Sequence, residues 1–99
     1  MKEIVVVTLR SDELSGSFDI EVPIDVPAGQ LSDNIAEVFN NYLENPPFND
    51  SVYQLYCDRQ NRFLENTETF LEAGIWNGDV IRMIKKHDGE RKRKIWESL

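Results

Sequence analysis

The 99-residue sequence has very little cysteine and histidine, with one residue of each. The single Cys57 cannot form an internal disulfide or supply a site with several cysteine ligands, which agrees with a reducing compartment. No apolar run reaches the roughly 18 residues that a membrane-spanning helix needs. The N-terminus lacks the basic, then apolar, order of a secretory signal. We therefore expect a cytoplasmic protein.

The sequence also offers little catalytic chemistry. Cys57 is predicted to end a strand in or near the core, whereas His87 falls in a polar hinge. A nucleophile needs a base within hydrogen-bonding reach and a third group that orients it, so this pair is not a candidate. The acidic residues are spread over strand and helix faces and lack calcium-loop spacing. We predict a protein that is not an enzyme and that binds no cofactor or metal.

The net charge of −7 is unevenly distributed. Residues 1–81 contain four basic and fifteen acidic residues, whereas residues 82–99 contain seven basic and three acidic ones. An acidic body repels phosphate, so nucleic acid is not an expected ligand. The composition changes after Lys86, which predicts a folded domain over residues 1–86 and a basic tail over residues 87–99.

The sequence predicts one long helix and five strands. Residues 4–9 are rich in β-branched residues on both faces, as in a central strand, and residues 18–22 alternate between apolar and acidic residues, as in a half-buried strand. A helix is expected from Gln30 to about Asn45, where apolar residues recur at helical spacing; they are Leu31, Ile35, Val38, Phe39, Tyr42 and Leu43. Further strands are expected at residues 51–57, 63–64 and 80–84. In the last strand, Ile81 and Met83 are predicted to face the core.

Asn77 and Gly78 form a turn before the last strand, where positive φ is tolerated. Asp79 can accept a backbone hydrogen bond there, and Gly74 is placed to end a short helix. Trp76 beside this turn could be an exposed anchor, although a partly buried side chain is commoner. The element order predicts an α+β protein of the β-grasp type: a mixed sheet with one main covering helix, whose first and last strands pair in parallel at its centre.

This order and several motifs resemble ubiquitin-like proteins. Residues 6–9 (VVTL) are similar to the end of a ubiquitin-like first strand, and residues 74–79 (GIWNGD) match a Gly-Ile-x-x-Gly-Asp segment that precedes the last strand. Over roughly residues 3–86 the sequence resembles the YukD/EsaB family of bacterial ubiquitin-like proteins, which accompany type VII secretion systems. The resemblance implies a non-enzymatic accessory or regulatory component of such a system. The implied partner is a secretion ATPase or a membrane component.

Two surfaces are candidates for binding. The resemblance places Leu9, Tyr56 and Ile84, with Val7 beside them, near the apolar recognition patch of ubiquitin-like folds; coverage of these strands by neighbouring loops is the alternative. The tail offers a basic run followed by apolar residues, which could meet an anionic membrane, an acidic partner or the acidic body, or could simply keep the chain end soluble. Its candidate residues are Arg91, Lys92, Arg93, Lys94 and Trp96.

Two other functions stay open. A ubiquitin-like modifier or sulfur carrier needs a C-terminal diglycine, because the activating enzyme attacks its carboxylate, and a chain that ends in Glu97, Ser98 and Leu99 disfavours this role. A membrane-surface adaptor would act through the basic tail. The oligomeric state is not predicted by any feature of the sequence.

Overall fold

A computed structural model of the chain describes residues 3–48 and 51–86. It contains five strands and two helices: β1 (Ile4–Arg10), β2 (Phe18–Pro23), α1 (Ala28–Tyr42), β3 (Tyr53–Cys57), β4 (Arg62–Phe63), α2 (Phe70–Ala73) and β5 (Val80–Lys85). The strands form one sheet in the order β2-β1-β5-β3-β4. β1 and β5 pair in parallel at its centre, and the other pairs are antiparallel. The predicted β-grasp arrangement is confirmed.

The core lies between α1 and one face of the sheet. Alternation along β1 and β5 turns Val7, Leu9, Ile81 and Met83 to this inner face, where none is more than 1% exposed. The expected inward positions of Ile81 and Met83 are thus confirmed. On β2, Val22 is buried and Phe18 and Ile20 pack partly against the core, as the alternation predicts.

The helix differs from its prediction at both ends. It begins at Ala28 and ends at Tyr42 instead of running from Gln30 to about Asn45. Leu31 and Ile35 are buried, but Val38 is 50% and Tyr42 84% exposed. The apolar stripe of α1 therefore extends beyond the part of the helix that the core covers.

The segment after α1 is fixed by one side chain. The side-chain amide of Asn40 donates to the carbonyl of Phe48 at 2.9 Å and accepts from its N–H at 3.0 Å. Phe48 is buried and lies edge-on against both Phe39 and Tyr53. These contacts pin the connection between α1 and β3 to the core at Phe48.

The turn before β5 forms largely as predicted. Gly74 ends α2 with a φ of 72°, and Gly78 has a φ of 88°. α2 begins with a capping box, in which Thr69 accepts from the N–H of Glu72 and the Glu72 carboxylate accepts from the N–H of Thr69. Gly78 donates its N–H to the carbonyl of Val6 at 2.8 Å, which ties the turn to β1.

Candidate protein-binding surface

The outer face of the sheet carries a group of partly exposed side chains from three adjacent strands. Tyr56 on β3 lies opposite both Phe63 on β4 and Arg82 on β5, and Ile84 follows Arg82 on the same face. We call these four residues the outer patch. The rings of Tyr56 and Phe63 meet edge to face, with centroids 5.0 Å apart. The Tyr56 hydroxyl also donates to the side-chain oxygen of Asn61, so this ring is held at both ends.

Arg82 is the charged member of the outer patch, and Asp58 fixes its orientation. Its Nε and Nη2 donate to the two carboxylate oxygens of Asp58 at 2.7 and 3.0 Å. The hydrogen bond to Asp58 raises the pKa of the Arg82 guanidinium above its ordinary value. A paired, oriented guanidinium among apolar side chains can still accept a planar or anionic group from a partner.

A second ordered group lies at the N-terminal end of β5, where Arg59, Trp76 and Asp79 meet; we call it the turn cluster. Nε and Nη2 of Arg59 donate to the Asp79 carboxylate at 2.8 and 3.0 Å, and Nη2 also donates to the carbonyl of Gly74 at 2.7 Å. The guanidinium carbon stands 3.7 Å from the centre of the Trp76 ring. This is a cation–π contact that fixes the orientation of the ring.

Asp79 anchors this cluster from below the surface. Its side chain is 5% exposed, and it accepts hydrogen bonds from Arg59 and from the N–H of Trp76, the latter at 2.7 Å. The hydrogen bond from Arg59 lowers the pKa of the Asp79 carboxyl; burial opposes this shift, and the Trp76 N–H reinforces it. The acceptor role expected for Asp79 is confirmed.

Trp76 is the main apolar surface of the turn cluster, because its residue is 63% exposed. The next residue, Asn77, accepts a hydrogen bond from the N–H of Val6 at 2.8 Å. Val6 is itself 40% exposed on the outer face of β1. Trp76 is therefore exposed and not partly buried, and the turn that carries it is joined to the outer face of β1 through Asn77.

Comparison of the sequence with models of known protein families identifies the family of this chain. A family model described as the YukD protein of the WXG100 protein secretion system matches residues 4–83. The chain belongs to the YukD family. The predicted family is thus confirmed, and with it the link between this family and type VII secretion.

Solved structures place the YukD chain among ubiquitin-like folds. Ubiquitin from Caldiarchaeum subterraneum is 22% identical with a TM-score of 0.61, over 88% of this chain and 99% of that one. The EccD5 ubiquitin-like domain from Mycobacterium xenopi is 14% identical with a TM-score of 0.67, over 87% and 98%. A chain of the ESX-5 inner membrane complex is 16% identical with a TM-score of 0.65, over 97% of this chain and 27% of that one. At such identities the likeness shows the fold alone. No curated protein matches the sequence significantly.

Two of the residues predicted for the recognition surface of the YukD chain do not belong to the outer patch. Val7 and Leu9 were expected to face outward, but they are 1% and 0% exposed and belong to the core. β1 is apolar on both faces, and α1 packs on the face that carries these two residues. Tyr56 and Ile84 do lie on the outer face and are partly exposed. The predicted tail residues Arg91, Lys92, Arg93, Lys94 and Trp96 lie outside the described residues.

The described residues were also compared with the requirements of a catalytic pair, a metal site and a membrane-spanning helix. Cys57 ends β3 in the core and is fully buried, and His87 lies outside the described residues. Within residues 3–48 and 51–86, no three metal-ligating side chains stand together. No helix in the same ranges is long and apolar enough to cross a membrane.

Sequence reasoning missed Arg59 and Phe63 as surface-forming residues of this YukD chain, and it missed the ion pair of Arg82. Arg59 stands 20 positions before Asp79, and a pair so distant leaves no periodic signal. The surface position of Phe63 could have been predicted if the β3–β4 register were known, because Phe63 lies opposite Tyr56 and two opposite residues share a face of the sheet. The outward position of Arg82 follows from the predicted inward positions of Ile81 and Met83, but its pairing with Asp58 depends on the β3–β5 register.

Proposed function

We propose that this YukD-family chain is a non-enzymatic protein-binding module of a type VII secretion machine. It docks through the outer patch, with Trp76 of the turn cluster as a second anchor. The observation that carries the proposal is the outer patch: three partly exposed apolar or aromatic side chains around one ion-paired arginine on a sheet face. An apolar patch with a polar rim is typical of protein interfaces.

The residue types favour a protein partner. Tyrosine, tryptophan and arginine dominate the binding energy of protein interfaces, because they combine large apolar area with directed polar groups. Here Asn61 holds Tyr56, Asp58 holds Arg82 and Arg59 holds Trp76. Side chains that are ordered before binding lose less conformational entropy when a partner arrives.

The family supports a partner from the secretion machine. The YukD family is linked to WXG100 secretion, and one structure of similar fold is a chain of the ESX-5 inner membrane complex. We infer that the partner is an ATPase or a membrane component of the secretion machine and that the chain meets it on the cytoplasmic side.

Co-purification from the native host tests the proposal. Tagged wild-type chain is compared with Ile84→Glu, which places a charge in the outer patch, and with Tyr42→Glu. Tyr42 is 84% exposed at the end of α1, so this control alters an exposed aromatic residue on another part of the molecule. We expect a secretion component with wild type and Tyr42→Glu and its loss with Ile84→Glu.

Two results would contradict the proposal. Recovery of no secretion component with the wild-type chain removes the family-based function. Equal recovery with Ile84→Glu and wild type leaves the function intact but removes the outer patch as its binding surface. A circular dichroism spectrum and melting curve of Ile84→Glu separate loss of binding from loss of folding.

A further inference from the structure

A groove lies between the edge strand β2 and helix α1, on the opposite side of the sheet from the outer patch. It has a volume of about 240 Å³ and is lined mainly by apolar side chains, among them Ile20, Val22, Leu31 and Ile35. Val38 forms part of its wall and is 50% exposed. Within the described residues β2 pairs with β1 alone, so its other edge borders this groove. An apolar groove beside an open strand edge can receive an extended apolar segment.

The surroundings of the groove are acidic. Residues 18–44, which supply its whole lining, contain six acidic residues and neither lysine nor arginine. The exposed Glu37 precedes Val38 on α1, and the exposed Glu21 borders the groove from β2, with its side chain on the outer face opposite Val6. The occupant that fits is therefore an apolar segment with adjoining cations.

The chain's own C-terminal sequence has this composition. Four cations at positions 91–94 are followed directly by Ile95 and Trp96. We propose that residues 91–99 dock into the β2–α1 groove of the same chain, with Ile95 and Trp96 in the apolar groove and the cations on the acidic side of α1 near Glu37. This assignment goes beyond the proposed function and does not depend on it.

The length of the chain permits this docking. The nearer end of the groove lies at Phe39, which contacts Phe18 with ring centroids 5.1 Å apart. Phe18 on β2 lies opposite Leu9 on β1, and Leu9 lies opposite Ile81 on β5. Lys85, the last residue of β5, is therefore two strands away from Phe18 across the sheet and four residues further along the strand direction. With usual strand spacings this is roughly 15–20 Å. The eight residues between Lys86 and Ile95 can span up to about 27 Å.

A nitroxide on the tail of the full chain tests the docking. Ser98→Cys provides the attachment site, while the native Cys57 is buried and not accessible to the label. We expect enhanced relaxation of the backbone amides of Ile20, Val22 and Val38 compared with amides of β3 and β4, and its loss when the nitroxide is reduced. Uniform relaxation over all faces of the domain would overturn the proposal.

A mixing experiment distinguishes a chain's own tail from that of a second copy. Nitroxide-labelled chain without ¹⁵N is mixed with ¹⁵N chain that carries no label. The proposal expects no enhancement in the mixture. Enhancement at the groove in the mixture, as strong as within one labelled chain, would assign the groove to a second copy and overturn docking within one chain.

Two variants of the labelled chain test the contacts. Val38→Lys removes apolar contact and adds a repelling charge, and we expect the ratio of docked to open chain to fall about tenfold. Val52→Lys is the matched control, because Val52 is 63% exposed outside the groove lining. Reversal of the four tail charges to glutamate should also abolish the enhancement. Unchanged enhancement in Val38→Lys and in the charge-reversed tail would refute the assignment.

Discussion

The two faces of the sheet are built from similar residues but differ in what they contact. β1 shows the difference within three consecutive valines: Val5 and Val7 are 5% and 1% exposed, whereas Val6 between them is 40% exposed. α1 packs on the inner face, so apolar burial there stabilises the fold. On the outer face, ion pairs and ring contacts hold apolar side chains in place without burying them. A strand that is apolar on both faces can therefore serve the core with one face and a partner with the other.

The largest expected effect tests this contrast with two identical substitutions. Val7→Ala should lower the free energy of unfolding by roughly 2–3 kcal/mol, because it removes buried methyl groups and leaves a cavity. Val6→Ala on the neighbouring position should cost clearly less, since its side chain is already partly in water. Urea unfolding of both variants measures the difference. Equal losses would mean that the outer face is as closely packed as the inner one.

The second effect concerns the turn cluster at the N-terminal end of β5. Asp79→Asn leaves Arg59 without its carboxylate and weakens the bond to the Trp76 N–H, so we expect a loss of about 1–3 kcal/mol at neutral pH. The folded-state pKa of Asp79 is lowered below its ordinary value of 3.8. The contribution of Asp79 to the free energy of unfolding is therefore fully present above the ordinary pKa, and it is lost as the pH falls through the folded-state pKa.

Because the pKa of Asp79 is lowered in the folded state, the pH dependence of stability tests the prediction. The difference in unfolding free energy between wild type and Asp79→Asn should be largest at neutral pH and shrink below about pH 4. Glu68, whose pKa is lowered by its hydrogen bond from Arg62, should leave some acid sensitivity in the variant. A difference that is constant from pH 7 to pH 3 would show that the ionised carboxylate is not what stabilises the turn.

The sequence predicted the fold well because its signals are local. Helical spacing placed α1, the alternation of apolar and acidic residues placed β2, and the apolar character of β1 and β5 indicated the central parallel pair. The boundaries moved by a few residues: β3 begins at Tyr53 instead of at residue 51, and β4 covers Arg62–Phe63 instead of residues 63–64. Strand ends depend on pairing partners, which a periodic pattern does not contain.

The candidate surface was less predictable because it depends on contacts between distant residues. The resemblance placed Val7 and Leu9 in the outer recognition patch, but both are buried in the core. Alternation divides β1 into two apolar sets and does not say which of them a helix will cover. Tyr56 and Ile84, which the resemblance placed in the same patch, do lie on the outer face, where the β3–β5 register sets their positions. The Arg59 guanidinium stacks on Trp76 while its Nε and Nη2 are held by the Asp79 carboxylate, and that arrangement exists only in the folded chain.

A smaller effect is expected at the glycine that joins the turn to β1. Gly78 has a φ of 88°, and an added Cβ would have no atom within 4 Å. Gly78→Ala should therefore cost about 1 kcal/mol of unfolding free energy through backbone conformation alone, without a packing term. Thermal unfolding measures this cost. A much larger loss would mean that the N–H of Gly78 must shift away from the carbonyl of Val6, which would loosen the outer face as well.

The smallest effect on stability should come from Trp76, which is the most exposed residue of the turn cluster. Trp76 is mostly exposed and its ring contacts Arg59, so Trp76→Ala should change the free energy of unfolding by no more than about 0.5 kcal/mol. If Trp76 serves as an anchor for a partner, the same variant should lose co-purified secretion component to an extent that its stability does not explain. Trp76→Phe is the informative comparison, because it keeps an aromatic ring over Arg59 with less area. Normal partner recovery with Trp76→Ala would restrict the binding surface to the outer patch, whereas a large loss of stability would show that the ring belongs to the fold.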